Sequence, residues 1–208
     1  MTPAGVKALE MSLPPTLVTY RVFRDEVTLT LNIKLAIEGF YNSQTNKLNM
    51  KDTVTAYLRN TNSPYNIVES VKSVVDSVNM KGNFRYYNVT TGNFFISLKH
   101  RNGLETWSKA GGESFESGRV YLYDYTISNT QAYGSNLTLK GSKYCIYSGD
   151  VNQDGVISGN DLAQTDNDAN GFLTGYVPTD IDGNNFVDGE DLSVVDNNAA
   201  NFVVLQRP

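Results

Sequence analysis

The sequence holds little of the chemistry that disulfide bonding or catalysis commonly uses. Its 208 residues include one cysteine, one histidine and one tryptophan. Cys145 has no second cysteine to pair with, so it can form neither an internal disulfide nor a cysteine metal cluster, and its place in KYCIY is typical of a small buried side chain. The stability of the protein must therefore come from another source.

Long apolar runs are lacking as well. No stretch approaches the roughly 20 apolar residues that a membrane-spanning helix needs, so we expect no membrane insertion. The opening MTPAGVKALEMSLPPTLVTY lacks the basic start, apolar core and cleavage site of a secretory signal. Two alternatives follow: the protein stays inside the cell, or the sequence is a fragment of a longer secreted chain.

Positive charge is almost absent from the last part of the chain. Residues 1–149 carry 16 Lys and Arg against 11 Asp and Glu, whereas residues 150–208 carry Arg207 alone against 11 acidic residues. This asymmetry indicates separate modules. Nucleic acid and anionic membranes would be repelled by the acidic part, so neither is expected as a partner.

From residue 28 the sequence alternates apolar and polar residues with the two-residue period of a half-buried strand. Similar runs occur at 53–59, 84–89, 94–100 and 119–127, and turn-rich segments such as NSQTN and KAGGES separate them. This spacing favours an antiparallel β-sandwich over residues 28–148. The segment LVTYRVF, within residues 1–27, is a candidate for one added strand.

The stretch GNFRYYNVTTGNFFISLKH combines alternating aromatic residues with a glycine turn. It resembles the signature strand pair of prealbumin-like sandwiches, the carboxypeptidase regulatory-like and Cna protein B-type domains. The resemblance implies a hairpin with core-facing aromatic residues and a positive φ at its turn glycine. Such domains commonly serve as spacers or stalks, which implies a non-catalytic scaffold. The matching residues are Gly82, Phe84, Tyr86, Val89, Gly92, Phe94, Ile96 and Leu98.

Two weaker patterns admit other functions. His100 lies near Glu105 and Ser108, which are residue types of a hydrolase site, although a polar cluster at a strand end is the favoured interpretation. The alternate tyrosines of YLYDYTI could form a platform for a sugar or a partner, with core packing favoured instead. We therefore expect that the protein is not an enzyme.

The tail repeats itself at an offset of 30 residues, counted as 180 − 150: DVNQDGVISGND at 150–161 returns as DIDGNNFVDGED at 180–191. Each copy continues into a stretch whose less polar residues are spaced three and four apart, as on one face of a helix. We predict two units of loop and helix that pack together. The residues of this inner face are Leu162, Thr165 and Ala169 in the first copy, and Leu192, Val195 and Ala199 in the second.

Each loop places an oxygen donor at every ligand position of a calcium loop, which are positions 1, 3, 5, 7, 9 and 12, with a sharp turn at position 6. Gly155 occupies that turn in the first loop, and Asn185, a residue that tolerates a left-handed backbone, occupies it in the second. Ile157 and Val187, both at position 8, are expected to pair with each other. The predicted ligands of two Ca²⁺ ions are Asp150, Asn152, Asp154, Val156 (carbonyl), Ser158 and Asp161, then Asp180, Asp182, Asn184, Phe186 (carbonyl), Asp188 and Asp191.

The alternative is a pair of Asx-rich turns that bind no ion. Without a cation, the carboxylates of each loop would repel one another at contact distance. A module of about 60 residues with so small a core is also marginally stable unless a metal or a similar staple supports it. Both points favour the calcium interpretation.

Aspartate at position 12, the absence of a helix entering each loop and the tandem copy make residues 149–204 resemble a dockerin. In that family, two F-hand motifs, each a loop followed by one helix, bind two calcium ions and dock onto a cohesin domain. A sandwich followed directly by such a domain also resembles C-terminal regions of large secreted bacterial proteins. The resemblance therefore implies a dockerin-like domain over residues 149–208 and an extracellular or cell-surface location.

The resemblance also assigns partner recognition to loop positions 10 and 11 and to the middle of each helix. Dockerin helices are richer there in Leu, Lys and Arg, whereas this sequence has mostly Asp, Asn and Ala, so a solvated polar face is the alternative. The corresponding positions are Gly159, Asn160, Asp166, Asn167, Gly189, Glu190, Asp196 and Asn197.

Together these patterns predict a calcium-binding, non-catalytic module for extracellular assembly or adhesion. Its dockerin-like domain would tether a larger secreted protein to a cohesin-like protein. The alternative is a self-assembling surface-fibre subunit, in which calcium rigidifies the tail and the N-terminal strand joins a neighbouring subunit.

Overall fold

The structure, a computed structural model, describes residues 26–208, so the predicted strand LVTYRVF lies outside the described residues. The described chain is mainly β-sheet with two short helices. Its strands are β1 (Leu29–Lys34), β2 (Tyr41–Asn42), β3 (Lys47–Leu48), β4 (Asp52–Asn60), β5 (Ile67–Val75), β6 (Lys81–Tyr86), β7 (Gly92–Lys99), β8 (Thr106–Trp107), β9 (Glu113–Phe115), β10 (Arg119–Asp124), β11 (Thr138–Lys140) and β12 (Lys143–Cys145).

Two sheets contribute to one apolar core. The smaller sheet has the strand order β10, β1, β6, and the larger has the order β5, β4, β7, β8, with β9 also paired to β7. The alternating run from residue 28 forms β1 as predicted, and its residues Leu29, Leu31 and Ile33 are at most 1% exposed. This arrangement is consistent with a β-sandwich. We refer below to residues 28–148 as the sandwich and to residues 149–208 as the tail.

One strand pair differs from the predicted antiparallel arrangement. β10 lies parallel to β1, with Leu29 opposite Arg119 and Lys34 opposite Asp124. Parallel neighbours need a long crossover connection, which here includes most of the sandwich strands. The two-residue period of these runs determined which side chains are buried, but it held no information on strand direction.

The predicted hairpin over residues 82–100 is wrong. β6 pairs with β1, whereas β7 pairs with β4, so the two strands lie in different sheets. Gly92 is the first residue of β7 and does not adopt a positive φ. The aromatic part of the prediction is confirmed, because Phe84, Tyr86 and Phe94 are all buried. The aromatic residues face the core from both sheets and do not face each other along a hairpin.

The tyrosines of the YLYDYTI run pack inward, as the favoured interpretation held. Tyr125 is fully buried, and its hydroxyl donates to the carbonyl of Ile96 at 3.2 Å. The ring of Tyr123 contacts that of Tyr125 edge-on, with centroids 4.8 Å apart, and its hydroxyl donates to the carbonyl of Gln131 at 2.7 Å. Tyr123 and Tyr125 therefore belong to the apolar core, and Tyr121 is partly buried against it.

The tail forms helices α1 (Gly159–Asn170) and α2 (Gly189–Ala200), each directly after one repeated loop. The side chains of Ser158 and Asp188 cap their first turns, and therefore both helices begin at loop position 10. Thr165 and Val195, on the predicted inner faces, are fully buried. Both described helices fall short of the length and apolarity that crossing a membrane requires.

The tail packs directly against the sandwich. Leu104, which follows β7, belongs to the same apolar cluster as Ile157, Ile181 and Val195 of the tail. The backbone of Gly39 approaches the second loop so closely that an added Cβ would lie 2.0 Å from the carbonyl oxygen of Ile181. The second loop therefore rests on the sandwich through main-chain contact.

Polar bonds extend this contact to the second helix. The amide of Asn198 in α2 donates to the Glu38 carboxylate at 2.6 Å and to the carbonyl of Ser148 at 2.8 Å. Burial raises the pKa of Glu38, while the bonds from Asn198 and Ser148 act in the opposite direction. Asn198 thus joins the tail to the sandwich at a buried position.

Replacing Gly39 with alanine should weaken the packing of the tail on the sandwich. The new methyl group would overlap the Ile181 carbonyl, so we expect a loss of about 1–3 kcal/mol in the free energy of unfolding. Urea unfolding followed by circular dichroism measures this loss. Gly159→Ala is the matched control, because nothing lies within 4 Å of its added Cβ. Equal stability of the two variants would contradict the contact.

Candidate cation-binding loops

The first loop, residues 150–161, is folded around two buried carboxylates. The Asp161 carboxylate accepts hydrogen bonds from the backbone N–H groups of Val151 at 3.0 Å and Ser158 at 2.9 Å. The Asp150 carboxylate accepts from the N–H groups of Asp154 at 3.1 Å and Gly155 at 3.2 Å. These bonds close the loop upon itself, and the carboxylates at its first and last positions are at most 1% exposed.

The second loop, residues 180–191, repeats this arrangement. The Asp191 carboxylate accepts from the N–H groups of Ile181 at 2.6 Å and Asp188 at 2.9 Å. The Asp180 carboxylate accepts from the N–H groups of Gly183 and Asn184, both at 3.0 Å. The carboxylate at position 12 thus accepts from positions 2 and 9 in both loops, whereas the carboxylate at position 1 accepts from positions 5 and 6 in the first loop and from positions 4 and 5 in the second.

The intermediate side chains follow the same pattern in both loops. Oδ1 of the residue at position 3 accepts from the N–H of position 5 at 2.9 Å, for both Asn152 and Asp182. Oδ1 of position 5 accepts from the N–H of position 7, at 2.9 Å for Asp154 and 2.7 Å for Asn184. At position 7, the side chains of Val156 and Phe186 are 42% and 60% exposed. Ser158 and Asp188 at position 9 cap the helices.

The turn positions adopt the expected backbone. At position 6, φ is 87° for Gly155 and 71° for Asn185, so the prediction that Asn185 takes a left-handed conformation is confirmed. At position 4, Gln153 and Gly183 also have positive φ values of 60° and 76°. The tight curvature of both loops therefore depends on the residues at positions 4 and 6 together.

Burying these carboxylates perturbs their ionisation. Burial raises the pKa of Asp150 to about 6 and that of Asp182 to about 6, and it also raises the pKa of Asp191. In the second loop, one oxygen each of Asp180, Asp182 and Asp191 lies within 4.8 Å of the others. Hard oxygen donors at this spacing fit a calcium ion, whose charge would offset both the desolvation and the mutual repulsion.

The predicted pairing of Ile157 with Val187 is wrong. The N–H of Ile157 donates to the carbonyl of Val203 at 3.0 Å, and the N–H of Val187 donates to the carbonyl of Leu173 at 3.0 Å. Each loop is therefore closed by the segment that follows the helix of the other copy. Both position-8 side chains are buried, as their apolar character suggested.

The predicted partner positions share one property. All eight are exposed at the start or in the middle of the two helices: Gly159, Asn160, Asp166, Asn167, Gly189, Glu190, Asp196 and Asn197. Sequence reasoning missed two aromatic residues just beyond the helices. Phe172 and Phe202 are 85% and 86% exposed, with φ values of 53° and 54°. Their equivalent place in the repeat was visible in the sequence, but their exposure was not.

His100, Glu105 and Ser108 have separate hydrogen-bond partners. Nε2 of His100 lies 3.1 Å from the carboxylate of Asp52. Glu105 accepts a hydrogen bond from Trp107 Nε1 at 2.8 Å, and Ser108 Oγ accepts from the N–H of Ile96 at 3.0 Å. Each of the three side chains has its own structural partner, so the structure supports the polar-cluster interpretation.

Sequence reasoning also missed a polar network between the sandwich and the second loop. Asp52, 4% exposed, accepts from Arg101 Nε at 2.9 Å and from the hydroxyl of Tyr176, which belongs to the tail. Burial by itself would raise the pKa of Asp52, but bonds from His100, Tyr176 and Arg101 hold that pKa well below its usual range. The spacing of these residues along the chain gave no signal for the network.

Comparison with solved structures gives matches at low identity and low TM-score. No family model matches the chain, and no curated protein matches it. Among solved structures, two mutants of a type II cohesin–X–dockerin complex from Acetivibrio cellulolyticus are similar to it, one altered at the N-terminal and one at the C-terminal interface. Each match is 12% identical and covers 85% of this chain and 100% of the other, with TM-scores of 0.45 and 0.44. We therefore base the function of this chain on the geometry of its loops.

Replacing Asp52 with asparagine should destabilise the protein in a pH-dependent way. Because the folded-state pKa of Asp52 is lowered, its ionised form stabilises the fold at neutral pH, and this contribution is lost as the pH falls below about 4. We expect Asp52→Asn to cost about 3 kcal/mol at neutral pH and less in acid. Urea unfolding of the wild type and of Asp52→Asn, from neutral pH to below about pH 4, measures the difference in stability. A cost that does not change with pH would contradict the ionised role of Asp52.

Proposed function

We propose that the tail binds two calcium ions and that the protein is a non-catalytic, calcium-stabilised assembly or adhesion module. The observation that carries this proposal is the repeated loop, in which buried carboxylates lie at equivalent positions, Asp150 and Asp180 at position 1 and Asp161 and Asp191 at position 12. Burying a carboxylate without a counter-charge lowers the stability of the fold by an amount on the order of several kcal/mol. A divalent cation in each loop would offset that cost.

Calcium fits these loops better than magnesium. Each loop offers side-chain oxygens at five positions and a carbonyl at a sixth, which approaches the six to eight ligands that calcium takes. Magnesium prefers a smaller octahedral site and retains several waters. The ligands of the two ions are those predicted from the sequence, from Asp150 to Asp161 and from Asp180 to Asp191.

The assembly role rests on what surrounds the loops. The tail is dockerin-like in its order of loop and single helix, and the exposed helix positions are open to a protein partner. Phe172 and Phe202 add two exposed aromatic side chains, the type of residue that anchors protein interfaces. We propose that this surface tethers a larger extracellular protein to a cohesin-like protein.

Calcium titration by calorimetry tests the metal sites. We expect two binding events in the wild type and the loss of one in Asp191→Asn, because that carboxylate belongs to the acidic cluster of the second loop and both loops have aspartate at this position. Asp166→Asn makes the same chemical change at an exposed helix position and should retain both events. A wild-type protein that releases no heat and binds no calcium would overturn the proposed function.

Chelation provides a second test. Both described α-helices lie in the tail, so helical circular dichroism reports mainly the tail. Trp107, 2% exposed in the sandwich, reports the sandwich by fluorescence. We expect excess chelator to reduce the helical signal, because the loops that cap each helix would open. An unchanged spectrum in chelator would contradict a stabilising role for calcium.

The oligomeric state separates the tether from the surface fibre. The tether requires a monomer in calcium that captures a cohesin-like protein from the native surface fraction. The fibre requires polymers that grow with concentration and disappear when residues 1–27 are deleted. Light scattering after size-exclusion chromatography distinguishes the two, and polymers of that kind would overturn the tether.

A further inference from the structure

Arg101 occupies the contact between the sandwich and the second loop. Arg101 is the second residue after the end of β7, and its side chain is 10% exposed. The guanidinium lies over the ring of Phe40 at 5.2 Å and over that of Tyr176 at 4.6 Å. One ring comes from the sandwich and the other from the tail, so the planar cation is held between the two parts of the protein.

The polar contacts of Arg101 also reach both parts. Nε donates to the Asp52 carboxylate of the sandwich at 2.9 Å, and Nη1 donates to the carbonyl of Val177 in the tail. Nη2 donates to Oδ2 of Asp180 at 3.2 Å. Asp180 is the residue at position 1 of the second loop and is fully buried. One side chain therefore connects a sandwich carboxylate to a proposed calcium ligand.

Further sandwich side chains bind the backbone of the same loop. Asn102 Nδ2 donates to the carbonyl of Asp180 at 2.9 Å, and Asn49 Nδ2 donates to the carbonyl of Asp182 at 2.9 Å. Together with Arg101, these bonds position the first and third residues of the loop. A loop anchored in this way loses less conformational freedom when a cation binds.

The first loop is held differently: Gln153 Nε2 donates to the sandwich carbonyl of Gly103 at 3.2 Å, but no sandwich side chain within residues 26–208 bonds to a predicted ligand of this loop. The Asp150 carboxylate accepts hydrogen bonds from its own loop and forms no ion pair within residues 26–208. It borders a pocket of about 170 Å³ that Lys99 and Arg207 also line. The two loops are therefore similar in sequence but differ in their contacts with the sandwich.

We propose that Arg101 is a positioning residue that links the second calcium site to the sandwich and makes the two calcium sites unequal. The inference rests on the proposed function. Because Arg101 holds Asp180 in place only while the tail is packed on the sandwich, calcium in the second loop strengthens that packing. By thermodynamic linkage, the packing strengthens calcium binding by the same factor.

The test compares Arg101→Gln with Arg59→Gln by calcium calorimetry. Arg59 is the matched control: it also lies over aromatic rings, at 4.8 Å from Trp107 and 5.4 Å from Tyr57, and it also pairs with a carboxylate, that of Glu105 at 3.6 Å. Its recorded partners all lie in the sandwich. We expect Arg101→Gln to weaken one of the two calcium sites by about tenfold or more and to leave the other unchanged. Arg59→Gln should leave both sites unchanged.

Thermal unfolding gives a second, independent measurement. In the wild type, calcium should raise the melting temperature of the Trp107 signal together with that of the helical signal. In Arg101→Gln, the rise at Trp107 should be smaller, because the link between loop and sandwich is lost. Arg101→Lys retains the charge but loses the planar guanidinium geometry. Its calcium-dependent rise in melting temperature at Trp107 should lie between those of the wild type and Arg101→Gln.

Several outcomes would overturn this inference. They are unchanged affinities in Arg101→Gln, tighter binding, equal weakening of both sites, or the same effect in Arg59→Gln. A variant that fails to fold shows itself in the Trp107 fluorescence, and Arg101→Lys then decides the question by the same titration. Absence of calcium binding in the wild type would instead refute the proposed function itself.

Discussion

The burial of acidic side chains is the constraint on which the tail depends. Asp150, Asp161, Asp180 and Asp191 are at most 1% exposed, and of these four only Asp180 forms an ion pair within residues 26–208, with Arg101. Backbone N–H groups satisfy their hydrogen bonds, which fixes the loop conformation, but neutral donors leave the net negative charge in place. The loops and the helix caps therefore share one electrostatic requirement, which a divalent cation in each loop would meet.

The sandwich and the tail depend on each other because both contribute side chains to the contact that packs them together. Leu104 of the sandwich lies in the apolar cluster of the tail, and Glu38 accepts the amide of Asn198 from α2. The close approach at Gly39 leaves no space for a side chain between the two parts. Tight packing of this kind transmits a displacement of the sandwich surface to the tail surface that it contacts. The sandwich therefore acts as a rigid support for the loops and is more than a spacer.

Local features were predictable from the sequence, whereas partners distant along the chain were not. The loop turns at Gly155 and Asn185 and the two helices follow from residues a few positions apart, which is why spacing alone predicted them. Alternation identified β1 but could not show that β10 lies beside it or that β6 and β7 belong to different sheets. Strand β5 was missed because Val68 and Val74 face solvent and blur its pattern. The position of Arg101 beside Asp180 depends on the packing of the whole tail and leaves no trace in sequence spacing.

The exchange of closing segments between the two loops sets an order in which they can be completed during synthesis. The second loop is closed by the segment at Leu173, which precedes it in the chain. The first loop is closed by Val203 and Leu205, whose bonds to Ile157 and Gly155 form only after α2 has been made. A chain that emerges from its N-terminal side therefore completes the later loop first. The earlier loop retains an open edge until the last helix has folded back onto it.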